Sequence, residues 1–203
     1  MNFNKINSLI LLLRPKHWIK NIFVILPLFF SASFYNISMV YQSLIAFLMF
    51  SLAASSVYIF NDLIDKDKDI RHPKKKFRPI ASGKITLFEA KFLILIFLVL
   101  ILLIGYQRID VLSVLAVYFI LNIAYSLFLK NYAVIDIFII ALGFVLRVYC
   151  GVIAINVEIS NWILITTFSL ALFLASIKRK QELNKNYTKT RLSLSSYTPE
   201  LLN

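Results

Sequence analysis

Apolar runs of about 20 residues recur along this 203-residue chain and leave it little choice of fold. A run of that length crosses the roughly 30 Å hydrocarbon layer of a bilayer as an α-helix. Six such runs are predicted to be membrane spans, at residues 18–35, 39–60, 88–106, 111–129, 132–155 and 162–177. The chain is 60% hydrophobic with only four glycines, which excludes a soluble or low-complexity protein. The sequence therefore predicts an all-α, polytopic transmembrane helical bundle.

The basic residues are distributed unevenly among the predicted loops. Of 22 lysines and arginines, 20 lie before the first span or at its start, after the sixth span, at residues 61–91 or at position 130. Because cytoplasmic loops collect Lys and Arg, both termini are predicted to be cytoplasmic. The net charge of +12 then reflects topology, and without a basic soluble domain we expect no nucleic-acid partner. We expect one multi-pass domain over residues 1–203 in the cell's inner or plasma membrane, in contact with the lipid bilayer.

The predicted cytoplasmic loop at residues 61–87 begins with an aspartate cluster. Asp62, Asp65 and Asp69 are spaced i, i+3 and i+7, so on one helix they share a face, whereas Asp67 points elsewhere. Clustered carboxylates repel one another unless cations neutralise them, and Mg²⁺ binds carboxylates together with substrate phosphates. The alternative is a cytoplasmic helix end with surface ion pairs to neighbouring lysines. Spacing alone leaves both interpretations open.

Residues on both sides of this cluster favour a binding site. Three polar residues of the second span share the helical face of Asp62, namely Ser51, Ser55 and Tyr58. Polar residues within spans usually face a bundle interior or a wet cavity. The basic segment at residues 71–84, which includes Lys76 and Arg78, supplies the cations that a diphosphate requires. The same segment also suits a topology signal with attraction to anionic lipids.

Polar residues at the ends of other spans extend the candidate site. They are Arg14, Lys16 and Lys20 near the first span, Tyr125 and Lys130 at the end of the fourth, and Lys178, Arg179 and Glu182 after the sixth. Each could line one cytoplasmic cavity, or instead lie in an interfacial belt, bond between helices or face solvent. Arg147 lies inside the fifth span, where a charge is costly and marks a functional site by default. It is predicted to contact substrate or to pair with an acid from another span.

The segment "NDLIDKDKD" at residues 61–69 resembles the NDxxDxxxD motif of the UbiA superfamily of intramembrane prenyltransferases, and "HPKKKFRPIASG" resembles the stretch that follows it there. The resemblance goes further with the decaprenyl-phosphate phosphoribosyltransferase branch, through "LLRPKHWIKN", "YSLFLKNYAVIDIFIIALGFVLRVYCG" and "KRKQELN". It covers nearly the whole chain. Prenylating members carry a second Asp-rich motif where this chain has "KRKQEL", and that departure favours the phosphoribosyl branch.

The resemblance implies a Mg²⁺-dependent enzyme that transfers 5-phosphoribose from phosphoribosyl diphosphate to a polyprenyl phosphate at the cytoplasmic membrane face. The implied catalytic residues and magnesium ligands are Asp62, Asp65 and Asp69. The candidate substrate-binding residues are Asn61, Lys16, Lys20, Lys76, Arg78, Tyr125, Lys130, Arg147, Lys178, Arg179 and Glu182.

Two further expectations concern the length of the chain and its alternative functions. Members of the UbiA superfamily have about nine spans, so the resemblance implies that the C-terminal third is missing here. The chain would then be a fragment, an inactive truncated product, or a short form completed by an oligomer or another chain. The alternative functions are a prenyltransferase with a prenyl diphosphate donor and an aromatic acceptor, and a non-enzymatic cation transporter or lipid-binding membrane protein.

Overall fold

All regular structure is helical in the part of the chain that the computed structural model describes, residues 3–158 and 160–184. The α-helices are α1 (Phe3–Leu13), α2 (Leu26–Phe30), α3 (Ile37–Ile64), α4 (Lys66–Ile70), α5 (Leu87–Gly105), α6 (Ile109–Leu127), α7 (Ile135–Ile155) and α8 (Asn161–Asn184). Short 3₁₀ helices occupy Pro15–Val24, Ser33–Tyr35, Lys75–Phe77 and Leu129–Asn131. The predicted all-α helical bundle is confirmed.

Five of these described helices are long and apolar enough to cross a membrane: α3, α5, α6, α7 and α8. They correspond to five of the six predicted spans, with ends that differ by a few residues. The prediction of a regular helical span at residues 18–35 was wrong, because a 3₁₀ helix, α2 and a second 3₁₀ turn divide this segment. The count of six spans and the cytoplasmic position of both termini stay predictions.

The backbone of this first segment explains why it is not one helix. Arg14 adopts a left-handed conformation (φ 53°, ψ 53°) directly after α1 ends. Pro15 then begins the 3₁₀ helix, and Pro27 lies in the first turn of α2. A proline cannot donate the N–H that the interior of a continuous α-helix requires. The segment therefore enters the bundle as a series of short turns.

Side chains of α3 hold the same segment in place. The Trp18 Nε1 donates to Ser55 Oγ and the Asn21 Nδ2 donates to Ser51 Oγ, each at 3.0 Å. Three residues of a 3₁₀ helix rise about 6 Å, and four residues of an α-helix also rise about 6 Å. The two donors therefore match the spacing of the two serines. Much of the polar stripe predicted to face a cavity is used to bind this broken segment.

The centre of the bundle is formed by α3 and α7. More than half of each membrane-crossing stretch is buried, 61% for α3 and 56% for α7, against 17% for α5 and for α8. In α7, a Cβ at Gly151 would collide with the backbone carbonyl of Val24, so this helix packs directly on the 3₁₀ segment. Gly151 thus marks close packing between α7 and this segment. The charged end of α3 emerges from the most enclosed helix of the bundle.

Candidate functional site

A charged cluster at the end of α3 forms the candidate site. The Arg14 Nη2 lies 2.6 and 2.8 Å from the two carboxylate oxygens of Asp62. The Arg78 Nη1 lies 2.9 Å from Asp62 Oδ1 and 2.6 Å from Asp69 Oδ2. One guanidinium nitrogen therefore bridges two carboxylates, and we call Arg14, Asp62, Asp69 and Arg78 the bridged cluster.

The anions and cations of the bridged cluster lie at different depths. The side chains of Asp62 and Asp69 are only 2% and 3% exposed, whereas those of Arg14 and Arg78 are 19% and 26% exposed. The Arg14 guanidinium also lies 5.1 Å from the centre of the Tyr58 ring. The carboxylates thus lie at the buried side of the site, and the two arginines cover them on the solvent side.

The three predicted magnesium ligands do not share one continuous helix. Asp62 lies on α3, which ends before Asp65, and Asp69 lies on the separate helix α4. The Lys130 Nζ lies 2.7 Å from Asp65 Oδ1 and draws that carboxylate into a different ion pair. Within residues 3–158 and 160–184, no group of three or more His, Cys, Asp or Glu side chains could hold a metal ion. The predicted three-carboxylate face is not formed. Asp67 is exposed and lies apart, as predicted.

Two of the three aspartates nevertheless suit a magnesium ion. Mg²⁺ is usually held by one or two carboxylates, with water and substrate phosphates completing its octahedral shell. Asp62 and Asp69 supply two such carboxylates, and the Arg78 nitrogen between them stands where a cation would sit. The donor set fits a metal ion that shares its coordination with a phosphorylated ligand.

The basic loop after α4 is folded so that Arg78 turns back onto the aspartates. The backbone N–H groups of Lys74 and Lys75 donate to His72 Nδ1 at 3.1 and 3.2 Å. Burial, followed by the charge of Lys75, lowers the pKa of His72 below its ordinary value of 6.5, which favours the unprotonated Nδ1 that accepts these bonds. The backbone N–H of Arg78 donates to the Lys75 carbonyl at 2.9 Å, and its own carbonyl accepts from the Ser82 N–H at 2.8 Å.

Several predicted substrate-binding lysines are exposed, namely Lys16, Lys20, Lys76 and Lys178. Lys20 and Lys178 come from opposite ends of the described chain, yet their charges are close enough to repel each other. An anionic group between them would relieve that repulsion. Asn61 and Tyr125 are partly buried. Of the first and last predicted cation groups, Lys20 and Lys178 therefore lie near each other.

Arg147 is buried in the middle of α7, and among the described residues it has no acid partner of the predicted kind. It donates to Asn21 Oδ1 at 2.9 Å, to the Gly143 carbonyl at 2.6 Å and to the Tyr118 hydroxyl at 3.3 Å. The rings within 5.0–5.3 Å of its guanidinium are those of Phe50, Tyr118 and Phe144. None of the ion pairs found among the described residues includes Arg147. The predicted ion pair is wrong, because neutral oxygens and ring faces satisfy this guanidinium instead.

Sequence reasoning missed the roles of Asn21 and Tyr118 as partners of Arg147. Both are polar residues inside apolar runs, and that is the signal that could have identified them. The described geometry leaves substrate contact by Arg147 a prediction.

Arg179 and Glu182, predicted to contact substrate, are bound to each other. The Arg179 Nε lies 2.7 Å from Asp136 Oδ2, and its Nη1 lies 2.6 Å from Glu182 Oε2. The Arg179 side chain is 2% exposed. The buried ion pair between Arg179 and Asp136 joins α8 to α7. The Arg179 guanidinium is therefore engaged by two carboxylates and is not directed at the bridged cluster.

The family of the chain follows from its sequence over most of this fold. The UbiA prenyltransferase family matches residues 21–184, which include every member of the bridged cluster except Arg14. The chain belongs to this family. The resemblance stated from the aspartate motif is thereby confirmed.

Several curated relatives of this UbiA family chain are named decaprenyl-phosphate phosphoribosyltransferase. The protein from Mycolicibacterium smegmatis is 38% identical over 98% of this chain and 65% of its own length. The protein from Corynebacterium glutamicum is 35% identical over 98% of this chain and 62% of its own length. The chain therefore spans somewhat less than two thirds of the length of these two relatives.

Solved structures of UbiA proteins share the fold of this chain. A digeranylgeranylglyceryl phosphate synthase superposes with a TM-score of 0.76 at 22% identity, over 97% of this chain and 71% of its own. A UbiA homologue from Archaeoglobus fulgidus, bound to DMAPP and Mg²⁺, gives a TM-score of 0.71 at 20% identity, over 91% of this chain and 66% of its own. The UbiA chain is thus an integral membrane protein with the fold of its family.

Proposed function

We propose that this chain forms the donor site of a transferase that moves 5-phosphoribose from phosphoribosyl diphosphate to a polyprenyl phosphate. The observation that carries the proposal is the pair of buried carboxylates, Asp62 and Asp69, beneath two partly exposed arginines. This pattern of charge suits a metal-bound diphosphate, because the carboxylates would take the metal and the arginines the phosphate oxygens. The name of the two relatives from M. smegmatis and C. glutamicum supports the choice of donor and acceptor.

Within this proposal each part of the site has one task. Asp62 and Asp69 would hold Mg²⁺, which when bound neutralises negative charge on the leaving diphosphate. Arg14, Arg78 and the exposed Lys76 would bind diphosphate oxygens. Further candidates for the 5-phosphate and the lipid phosphate are Lys16, Lys20, Lys130 and Lys178. Asp65 would support the loop that carries Lys130 and would not bind the metal.

The reaction would need little acid–base chemistry from the protein. The bond between ribose C1 and the diphosphate oxygen breaks, and its electron pair leaves with diphosphate. An oxygen of the polyprenyl phosphate then forms the new bond to C1. That oxygen is already anionic, so no protein base has to remove a proton. Catalysis would rest on holding the two reactants together and on stabilising the departing charge.

The proposed reaction would take place at the cytoplasmic face of the plasma membrane. The lysines and arginines that predict this side are concentrated at the same end of the helices as the bridged cluster. They lie around the start of the first predicted span, at residues 61–91, at position 130 and after the apolar stretch of α8. A water-soluble donor would reach the site from the cytoplasm, and the lipid acceptor from the bilayer.

The test is a transfer assay with the purified chain in lipid nanodiscs. Radiolabelled phosphoribosyl diphosphate, Mg²⁺ and a polyprenyl phosphate should give a lipid-extractable phosphoribose, and chelation of the metal should abolish it. A parallel reaction contains a prenyl diphosphate and an aromatic acceptor. A prenylated product without lipid-linked phosphoribose would show that the donor is wrong and that the chain is a prenyltransferase.

A further inference from the structure

We infer that Asp62 and Asp69 accept a divalent cation only together with a diphosphate, because Arg78 already occupies the cation position between them. This inference rests on the proposed function and adds to it a specificity-determining role for Arg78. The site would select a metal–diphosphate complex over the free metal.

The charge of the bridged cluster is the first reason. Two carboxylates face two guanidinium groups, so the formal charges of the cluster cancel. A free divalent cation would add two positive charges to a partly buried group that is already neutral, and burial makes such an excess costly. A metal–diphosphate complex brings its own negative charge and avoids this excess.

The contact distances are the second reason. The Arg78 Nη1 lies 2.9 Å from Asp62 Oδ1 and 2.6 Å from Asp69 Oδ2. Mg²⁺ binds oxygen at about 2.0–2.1 Å, so a metal ion and this nitrogen cannot share the space between the two oxygens. The carboxylates are buried and Arg78 covers them on the solvent side. A metal ion arriving from water has to replace the guanidinium.

A diphosphate supplies the displaced guanidinium with a new partner. Arginine binds phosphate oxygens with two parallel hydrogen bonds, which compensate for the two carboxylate contacts that it loses. The Arg78 backbone is extended (φ −61°, ψ 146°), and its hydrogen bonds to Lys75 and Ser82 involve backbone atoms alone. The side chain can therefore turn from carboxylate to phosphate while the loop keeps its fold. Arg14 would remain on Asp62.

The test measures metal binding and does not depend on turnover. The purified chain in detergent is incubated with Mn²⁺ as the probe metal, with or without inorganic diphosphate, and the Mn²⁺ retained with the protein after ultrafiltration is counted. We expect diphosphate to raise the apparent Mn²⁺ affinity by about tenfold or more, within the range usual for coupling between two ligands. Mn²⁺ should raise diphosphate affinity by the same factor, because such coupling is reciprocal.

A variant and a matched control assign the effect to Arg78. The Arg78→Gln variant removes the bridging guanidinium, so it should retain Mn²⁺ without diphosphate and lose most of the dependence. Arg71→Gln makes the same chemical change at an exposed position of the same loop and should keep the wild-type dependence. The wild-type titrations decide the selectivity even where Arg78→Gln does not fold.

The outcomes separate this inference from the proposed function. Equal Mn²⁺ affinity of the wild type with and without diphosphate overturns the inference and leaves the metal site intact. Equal diphosphate dependence in the wild type and in a folded Arg78→Gln overturns the role of Arg78. Absence of Mn²⁺ retention in every sample, with diphosphate present, overturns both the inference and the proposed metal site.

Discussion

Two regions of the molecule pair arginine with aspartate, and they do so at different depths. Between α7 and α8, Arg179 and Asp136 are both buried, at 2% and 0% exposure. At the end of α3, Asp62 and Asp69 are buried but Arg78 reaches solvent. A pair that is buried on both sides cannot change partners and holds two helices together. A pair whose cation is partly exposed can exchange that cation for a ligand, so the exposure of the arginine separates a structural pair from a binding site.

The largest expected effect comes from breaking the buried pair. Replacing Arg179 by Leu removes the arginine from the buried Asp136 carboxylate, and loss of one partner of a buried pair costs about 3–5 kcal/mol. Chemical unfolding of the Arg179→Leu variant in mixed micelles should show a loss of that order. The Asp136→Leu, Arg179→Leu double variant should recover most of it, because the only charge that then lacks its arginine is Glu182, which is 26% exposed to solvent. Unchanged stability with loss of turnover would restore the substrate role predicted for Arg179.

The second effect concerns catalysis at the bridged cluster. Asp62→Asn removes half of the proposed metal-binding charge, and we expect turnover in the transfer assay to fall by more than about a hundredfold, as when a group that stabilises transition-state charge is lost. Amounts of membrane-inserted protein should not change. Asp67→Asn is the matched control in the same motif, since Asp67 is exposed and apart from the cluster. Comparable activity in both variants would refute the metal site.

The ion pair between Asp65 and Lys130 is intermediate in exposure between these two kinds of pair. The Asp65 side chain is 16% exposed and the Lys130 side chain is 14% exposed. If Asp65 supports the loop and does not bind the metal, Asp65→Asn should reduce turnover by about 10-fold to 100-fold, as the loss of an outer-shell partner does. Lys130→Met should have the same effect, and the double variant should be no worse than either single one. An effect of Asp65→Asn as large as that of Asp62→Asn would make Asp65 a ligand.

The smallest expected effect is a pH dependence of the basic loop. The pKa of His72 is lower when folded, so the stability that its neutral form contributes is complete above the ordinary value of 6.5 and is lost as pH falls through the lowered value. Amide hydrogen exchange at Lys74 and Lys75, corrected for the intrinsic pH effect, should accelerate on acidification. In His72→Ala the exchange should be fast throughout. Acid-independent protection in the wild type would contradict this account.

The sequence predicted the five long apolar helices because the length of an apolar run sets what can cross a bilayer. It did not predict the broken first segment, which is apolar enough but is shaped by Pro15, Pro27 and contacts with α3. Those contacts join Trp18 and Asn21 to serines some 30 residues away or more. Hydropathy indicates whether a segment is apolar enough to be buried, but not which side chains it contacts. A hydropathy pattern therefore could not predict this break in the first segment.

The sequence also predicted which residue types make up the site, but not how they pair. The aspartate spacing indicated one shared face, and the end of α3 at Ile64 divided it. With 22 basic residues and 10 acidic ones, composition allows many partners for each carboxylate. Arg78 bridging two aspartates, and Arg147 bound to neutral oxygens, depend on tertiary distances that spacing along the chain does not encode.

The close contact of Gly151 with the Val24 carbonyl has a consequence for how the protein is made. The 3₁₀ segment leaves the ribosome early, whereas Arg147, which binds its Asn21, follows 126 residues later. The first segment therefore cannot reach its final position until α7 has been synthesised and inserted. Until then α3 alone can hold it, through Ser51 and Ser55. A larger residue at Gly151 would leave the early segment without its last docking surface, and the defect would arise during biogenesis.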